Sequence, residues 1–130
     1  MRSVLLLILL CFILFGCRPE PIPDIQLPEL ALTVPQKISD IDKNYQRLAR
    51  NRTLVQIKGT IIHQSKADNS WAFIADETAP VLLDFAAASP NIALSSKQTG
   101  KTIIVEGRVS PDSTVMNEYL IVPVTYKIIP

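Results

Sequence analysis

Few side chains in this sequence have the type and spacing that chemistry requires. His63 is the only histidine. A zinc site needs three or four grouped ligands, so a lone histidine near a strand end reads as structural or solvated. Asp76, Glu77 and Asp84 cluster around a turn. A hard cation takes six or more oxygens, so the cluster reads as a charged turn. Ser65, Ser70, Ser89, Ser95, Ser96, Ser110 and Ser113 fall in turn or loop stretches, as serines do. Nothing local offers one of them an oriented base and acid. No phosphate loop or dinucleotide fingerprint occurs. The sequence therefore predicts no catalytic residue, no metal site and no cofactor, and points to binding. Trp71 and Phe73 are the candidates, since alternate residues of a strand share a face. Facing outward, they would form a stacking platform for bases, sugar rings or a partner's side chains. A small domain has few large residues to fill its core, which favours an inward Phe73. Trp71, beside Asn69 and Ser70, is open to either reading. Lys58 and Arg108, with Lys101, would add positive charge on outward positions, or serve only solubility and edge protection. The candidate ligand residues are Trp71, Phe73, Lys58 and Arg108.

These residues sit in a pattern of short strands. Ile38, Ile41, Tyr45 and Leu48 recur at helical spacing and predict a helix over 38–49. Ser39 with Asp42 resembles a capping box, and Asp40 adds negative charge to the first turn. Lys43, Arg47, Arg50 and Arg52 form a basic cluster that reads first as a solvated helix end. From Thr53 the period changes to two. Val55, Ile57, Gly59 and Ile61 alternate with Gln56, Lys58, Thr60 and Ile62. A second strand covers 70–76, and a third covers 81–85, with Pro80 at its start. Residues 86–100 form a loop with one helical turn at 91–97. A fourth strand at 101–110 places Ile103, Val105, Gly107 and Val109 on one face, and Ile104, Glu106 and Arg108 on the other. A turn at 111–113 and a fifth strand at 119–129 follow, with Pro123 signalling an edge or a bulge.

Five short strands with the widest gap between the third and fourth fit a small closed barrel. Four segments carry a resemblance to the OB-fold: Val55–Gln56–Ile57–Lys58–Gly59–Thr60–Ile61, Phe73–Ile74–Ala75–Asp76–Glu77, Val81–Leu82–Leu83, and Gly100 through Val109. They are similar to the compact tRNA-anticodon type. With the leader Lys37–Ile38–Ser39–Asp40–Ile41, the chain also resembles small secreted bacterial OB-fold proteins. The resemblance covers residues 37–130 and implies a mainly β, five-stranded barrel with a short N-terminal helix. It also implies ligand binding on strands two and three. Gly59 and Gly107 occupy equivalent points where a barrel strand bends sharply.

The N-terminus sets the compartment. Twelve uncharged residues, Val4–Phe15, follow Arg2. A spanning helix needs about 20, so the run fits the core of a signal peptide. It ends in Leu14–Phe15–Gly16–Cys17, which resembles the lipobox of bacterial lipoproteins. That resemblance implies diacylglycerol on the Cys17 thiol, cleavage before Cys17 and acylation of its new amine, and the acyl chains there would anchor the chain stably. Residues 1–16 are then the signal peptide and 17–36 a lipidated cysteine with a tether holding five prolines in residues 18–35. In extended form the tether would reach roughly 55 Å at ~3.1 Å per residue. The domain is 37–130. Arg18 after the cysteine implies the outer membrane, facing the periplasm, where the cell has one. After cleavage no free thiol remains, and twelve Lys and Arg face twelve Asp and Glu. A cleaved chain of balanced charge has no strong electrostatic footprint for nucleic acid. The expected function is a membrane-anchored, non-enzymatic binding module of the cell envelope with a protein or glycan partner. Binding of single-stranded nucleic acid is the alternative.

Overall fold

A computed structural model describes residues 27–88, 92–111 and 118–130. The proposed signal peptide, the lipobox and the turn at 112–113 lie outside them. Helix α1 (Ile38–Arg50) precedes β1 (Leu54–Gln64), β2 (Trp71–Ala75), β3 (Pro80–Asp84), β4 (Thr102–Pro111) and β5 (Tyr119–Ile129). The strands close into a barrel in the order β1-β2-β3-β5-β4. Neighbours are antiparallel except β3 and β5, which run parallel at Leu83 and Ile121. This is the OB-fold-like architecture that the strand spacing predicts.

The two faces of β1 and β4 follow their alternation. Val55, Ile57, Ile61, Ile103, Val105 and Val109 are buried in the barrel. Gly59 and Gly107 are required by close approach. A Cβ at Gly59 would stand 2.8 Å from the Ala75 carbonyl oxygen, and one at Gly107 would stand 2.5 Å from that of Val122. Helix α1 closes one end of the barrel with Ile38, Ile41 and Leu48. Its Tyr45 stacks on Tyr119 with centroids 5.2 Å apart, and the Tyr119 hydroxyl donates to Asp42. Burial, with this hydrogen bond and the Asp42 charge, pushes the Tyr119 pKa up, so the phenol stays protonated.

The helix does not start on its own capping box. Lys37 is the N-cap and contributes no side-chain bond. The β2–β3 turn caps it instead: Ile38 N–H donates to Asp76 Oδ2 at 2.9 Å and Ser39 N–H to Thr78 Oγ1 at 3.1 Å. Burial opposes the Asp76 charge, but hydrogen bonds from Ile38, Thr78 and Ala79 together outweigh it and hold the carboxyl below its usual range. The helical turn expected at 91–97 does not form over 92–97. There Ile92 and Leu94 fold inward as core.

Two strands carry one extra residue each. In β1, Ile61 pairs with Ile74 and His63 with Phe73, leaving Ile62 as a bulge. In β5, Glu106 of β4 pairs with Thr125 and Gly107 with Pro123, leaving Val124 as the bulge beside the proline that signals it. Ile62 and Val124 are both exposed large apolar residues, at 48% and 40%.

Residues 27–36, assigned by composition to the tether, lie across the outer face of the barrel as a strap. Gln56, Glu106 and Thr125 form one polar row through β1, β4 and β5. The strap covers that row, and all three are buried. Ala31 and Leu32 donate their N–H groups to the two Glu106 oxygens at 2.7 and 2.6 Å. Gln56 Nε2 donates to Glu106 at 2.9 Å and to the Leu32 carbonyl at 2.6 Å. Thr125 donates to the Pro28 carbonyl, and Gln36 N–H donates to the Gln56 carbonyl at 2.7 Å. Burial disfavours ionised Glu106, but the bonds from Ala31, Leu32 and Gln56 win and keep its pKa below the usual range.

Candidate ligand-binding face

The β1 bulge decides what the barrel shows on its β1–β2–β3 side. Regular alternation past Ile61 would turn His63 inward. The extra residue at Ile62 lets both Ile62 and His63 face out and returns Gln64 to the interior. His63 then stands opposite Phe73 on β2, and Phe73 stands opposite Leu82 on β3. Ala72 and Ile74 take the inward positions of β2 and are fully buried. Phe73 is therefore not core, which corrects the volume argument. Helix α1 together with Phe85, Ile92 and Leu94 supplies the bulk that a larger inward residue would have given.

Trp71 and Phe73 share the outer face, each half-buried. Their rings meet edge to face with centroids 5.9 Å apart at 74°. The His63 ring meets Trp71 at 5.8 Å and 64°. Such T-shaped contacts fix the rings against one another while leaving part of each face accessible. Beside His63 a groove of about 440 Å³ is lined by Lys66, Asn69, Ser96, Lys97 and Thr99. Its floor is rigid. Gln64 Nε2 donates to Asn69 Oδ1 at 2.9 Å and to the Ser95 carbonyl at 2.7 Å, and its Oε1 accepts from Gln98 N–H at 3.1 Å. Asn69 and Lys97 turn the chain here with φ of 55° and 61°. Asp68 is held below its usual pKa by hydrogen bonds from Ser70 and Ser65, which tightens the same turn.

The four predicted ligand residues do not converge. Trp71 and Phe73 stand together. Lys58 lies on the outer face of β1 opposite Ile104, at a separate hollow with Thr60 and Glu77. Arg108 lies on β4 opposite Val122, at a groove on another side of the barrel. The carboxylates do not converge either: Asp76 caps α1, and Asp84 Oδ1 accepts the Ala86 N–H at 3.0 Å. Among the described residues no three histidine, cysteine, aspartate or glutamate side chains gather as a metal site. No described helix is long and apolar enough to cross a membrane. Sequence reasoning missed His63 as part of the aromatic face, because nothing in its type or spacing announces the bulge.

No protein-family model matches the chain, and no curated protein matches it. Among solved structures it is similar to the hypothetical protein ygiW from E. coli, with a TM-score of 0.52 and 16% identity. The match covers 75% of this chain and 91% of that one. At that identity the likeness is one of fold, and it places this barrel with an OB-fold-like protein.

Proposed function

We propose that this chain is a lipid-anchored protein of the cell envelope whose barrel is a non-enzymatic binding module for an envelope glycan. The observation that carries the reading is the outward trio His63, Trp71 and Phe73, beside a groove rimmed by hydrogen-bonding side chains. Sugar rings stack on aromatic faces, and the amide, hydroxyl and ammonium groups of Asn69, Ser96, Thr99, Lys66 and Lys97 suit their hydroxyls. Cys17 in Leu14–Phe15–Gly16–Cys17 supplies the anchor, and Arg18 directs it to the periplasmic face of the outer membrane where one exists. An envelope protein partner would use the same aromatic face. Single-stranded nucleic acid would also stack there, but the chain's balanced charge disfavours a polyanion.

Trp71 is the only tryptophan, so its fluorescence reports the face directly. The chain from Arg18 onward holds every described residue, and circular dichroism checks that it folds. Peptidoglycan fragments are expected to change the Trp71 emission saturably and with little salt dependence. A response to a single-stranded oligonucleotide that collapses with salt would replace the glycan reading with the nucleic-acid one. No response to either would overturn ligand readout at this face. Palmitate labelling of the full chain in cells tests the anchor, with label lost in Cys17→Ser.

A further inference from the structure

The basic cluster at the end of α1 is larger in space than in sequence. Arg47, Arg50 and Arg52 are joined by Arg108 of β4, and all four are exposed. Arg108 Nη1 donates to the Arg52 carbonyl oxygen at 2.6 Å. Arg52 presents that oxygen from a φ of 49°, a conformation that residues with a Cβ seldom adopt. Beyond this pair lies a groove of about 660 Å³. Arg52 and Arg108 line its basic side, and Val122, Pro123 and the bulged Val124 form an apolar lip. Among the described residues that line it, none is acidic. The nearest acid along β4, Glu106, is buried, with both oxygens occupied by the strap.

Guanidinium groups match phosphate oxygens in fork geometry, and an apolar lip beside them suits the glycerol and first methylenes of a lipid. The course of the chain agrees. The strap enters the barrel where Pro28 meets Thr125, next to Val124 at the groove. Ten residue steps separate Cys17 from Leu27, a contour of at most roughly 36 Å. We infer that this groove binds the phosphate headgroup of an anionic phospholipid in the membrane that carries the chain. Its placement at that membrane rests on the anchor proposed above, whereas its preference for anionic lipid does not.

The test uses the unlipidated chain from Arg18 onward and vesicles of phosphatidylcholine with or without phosphatidylglycerol. The chain is expected to sediment with the anionic vesicles alone and to be released by salt. An arginine near an anionic surface is worth a factor of about five, so Arg52→Gln with Arg108→Gln should weaken binding about twenty-five-fold. Val124→Glu, at an exposed position, should weaken it without touching the Arg52–Arg108 bond. Lys127→Gln, which removes an exposed charge away from the groove, should bind like the wild type. Circular dichroism checks that each variant is folded. Equal binding to neutral and anionic vesicles, or wild-type binding by both groove variants, overturns the assignment. A failed glycan titration or an unlabelled Cys17 would sink the earlier readings and leave the groove's preference for anionic lipid standing.

Discussion

Gln56 of β1 and Glu106 of β4 face each other across the barrel's outer surface, joined by a 2.9 Å hydrogen bond beneath residues 27–36. The pair turns a proline-containing segment into part of the domain. Hydrogen bonds to a charged acceptor are worth about 1.5–3 kcal/mol each, and loss of the charge weakens all three that Glu106 accepts. Glu106→Gln is expected to destabilise the protein by about 2–3 kcal/mol in urea unfolding. Limited proteolysis should cut the variant within 27–36 before the barrel yields. Wild-type resistance to cleavage there would mean that the strap is held by something else.

Stability should depend on acid pH through the same residue. Glu106 and Asp76 both titrate below their usual range in the folded state. As pH falls, the unfolded chain takes up their protons first, so ∂ΔG/∂pH is positive in that window. The contribution is complete above the unfolded carboxylate pKa, at about 4 to 4.5, and disappears as pH drops through the lower folded values. A Tm series from neutral pH downward should fall in this range and flatten in Glu106→Gln. An unchanged slope in that variant would remove Glu106 as the cause.

Helix α1 takes its cap from β2–β3 rather than from its own Ser39. Asp76→Ala should cost about 1–2 kcal/mol, the range of a lost N-cap. Ser39→Ala should cost less than about 0.5 kcal/mol, as surface substitutions away from a cap do. Urea midpoints of the two variants decide the matter, and a reversed order would restore the local capping box.

Gly59 and Gly107 stand against backbone, which has no rotamer to relieve a clash. Gly59→Ala should destabilise by about 1–3 kcal/mol. Gly107→Ala should cost more, since its Cβ would also meet the Ile121 side chain at 2.6 Å. Equal thermal stability of Gly107→Ala and wild type would contradict the close approach.

Much of the barrel is written in residue alternation, because a strand with one buried face must separate its apolar and polar residues. Val55 through Ile61 and Ile103 through Val109 show this, and the two glycines mark the bends. Pro123 marks a bulge because it cannot donate to the ladder. The bulge at Ile62 has no such marker: isoleucine and histidine are ordinary strand residues, and only the pairing of β1 with β2 reveals the extra residue. Core volume counted over the strands alone misplaces Phe73, because α1, Phe85, Ile92 and Leu94 fill the space. The strap was hidden by its prolines, which suggest a chain without partners. Ala31, Leu32 and Gln36 keep their N–H groups, and Pro28 still offers a carbonyl.

The strap also determines how the barrel feels a pull. Tension on the chain ahead of Leu27 does not arrive at α1 or at any strand end. It arrives side-on at Thr125, through the Pro28 carbonyl, and only after that bond opens does it load Glu106 through Ala31 and Leu32. Gln36 at Gln56 comes last. Bonds loaded in succession open one at a time, so the strap takes up a pull before the strand ladders do. The segment acts as a mechanical fuse ahead of the fold.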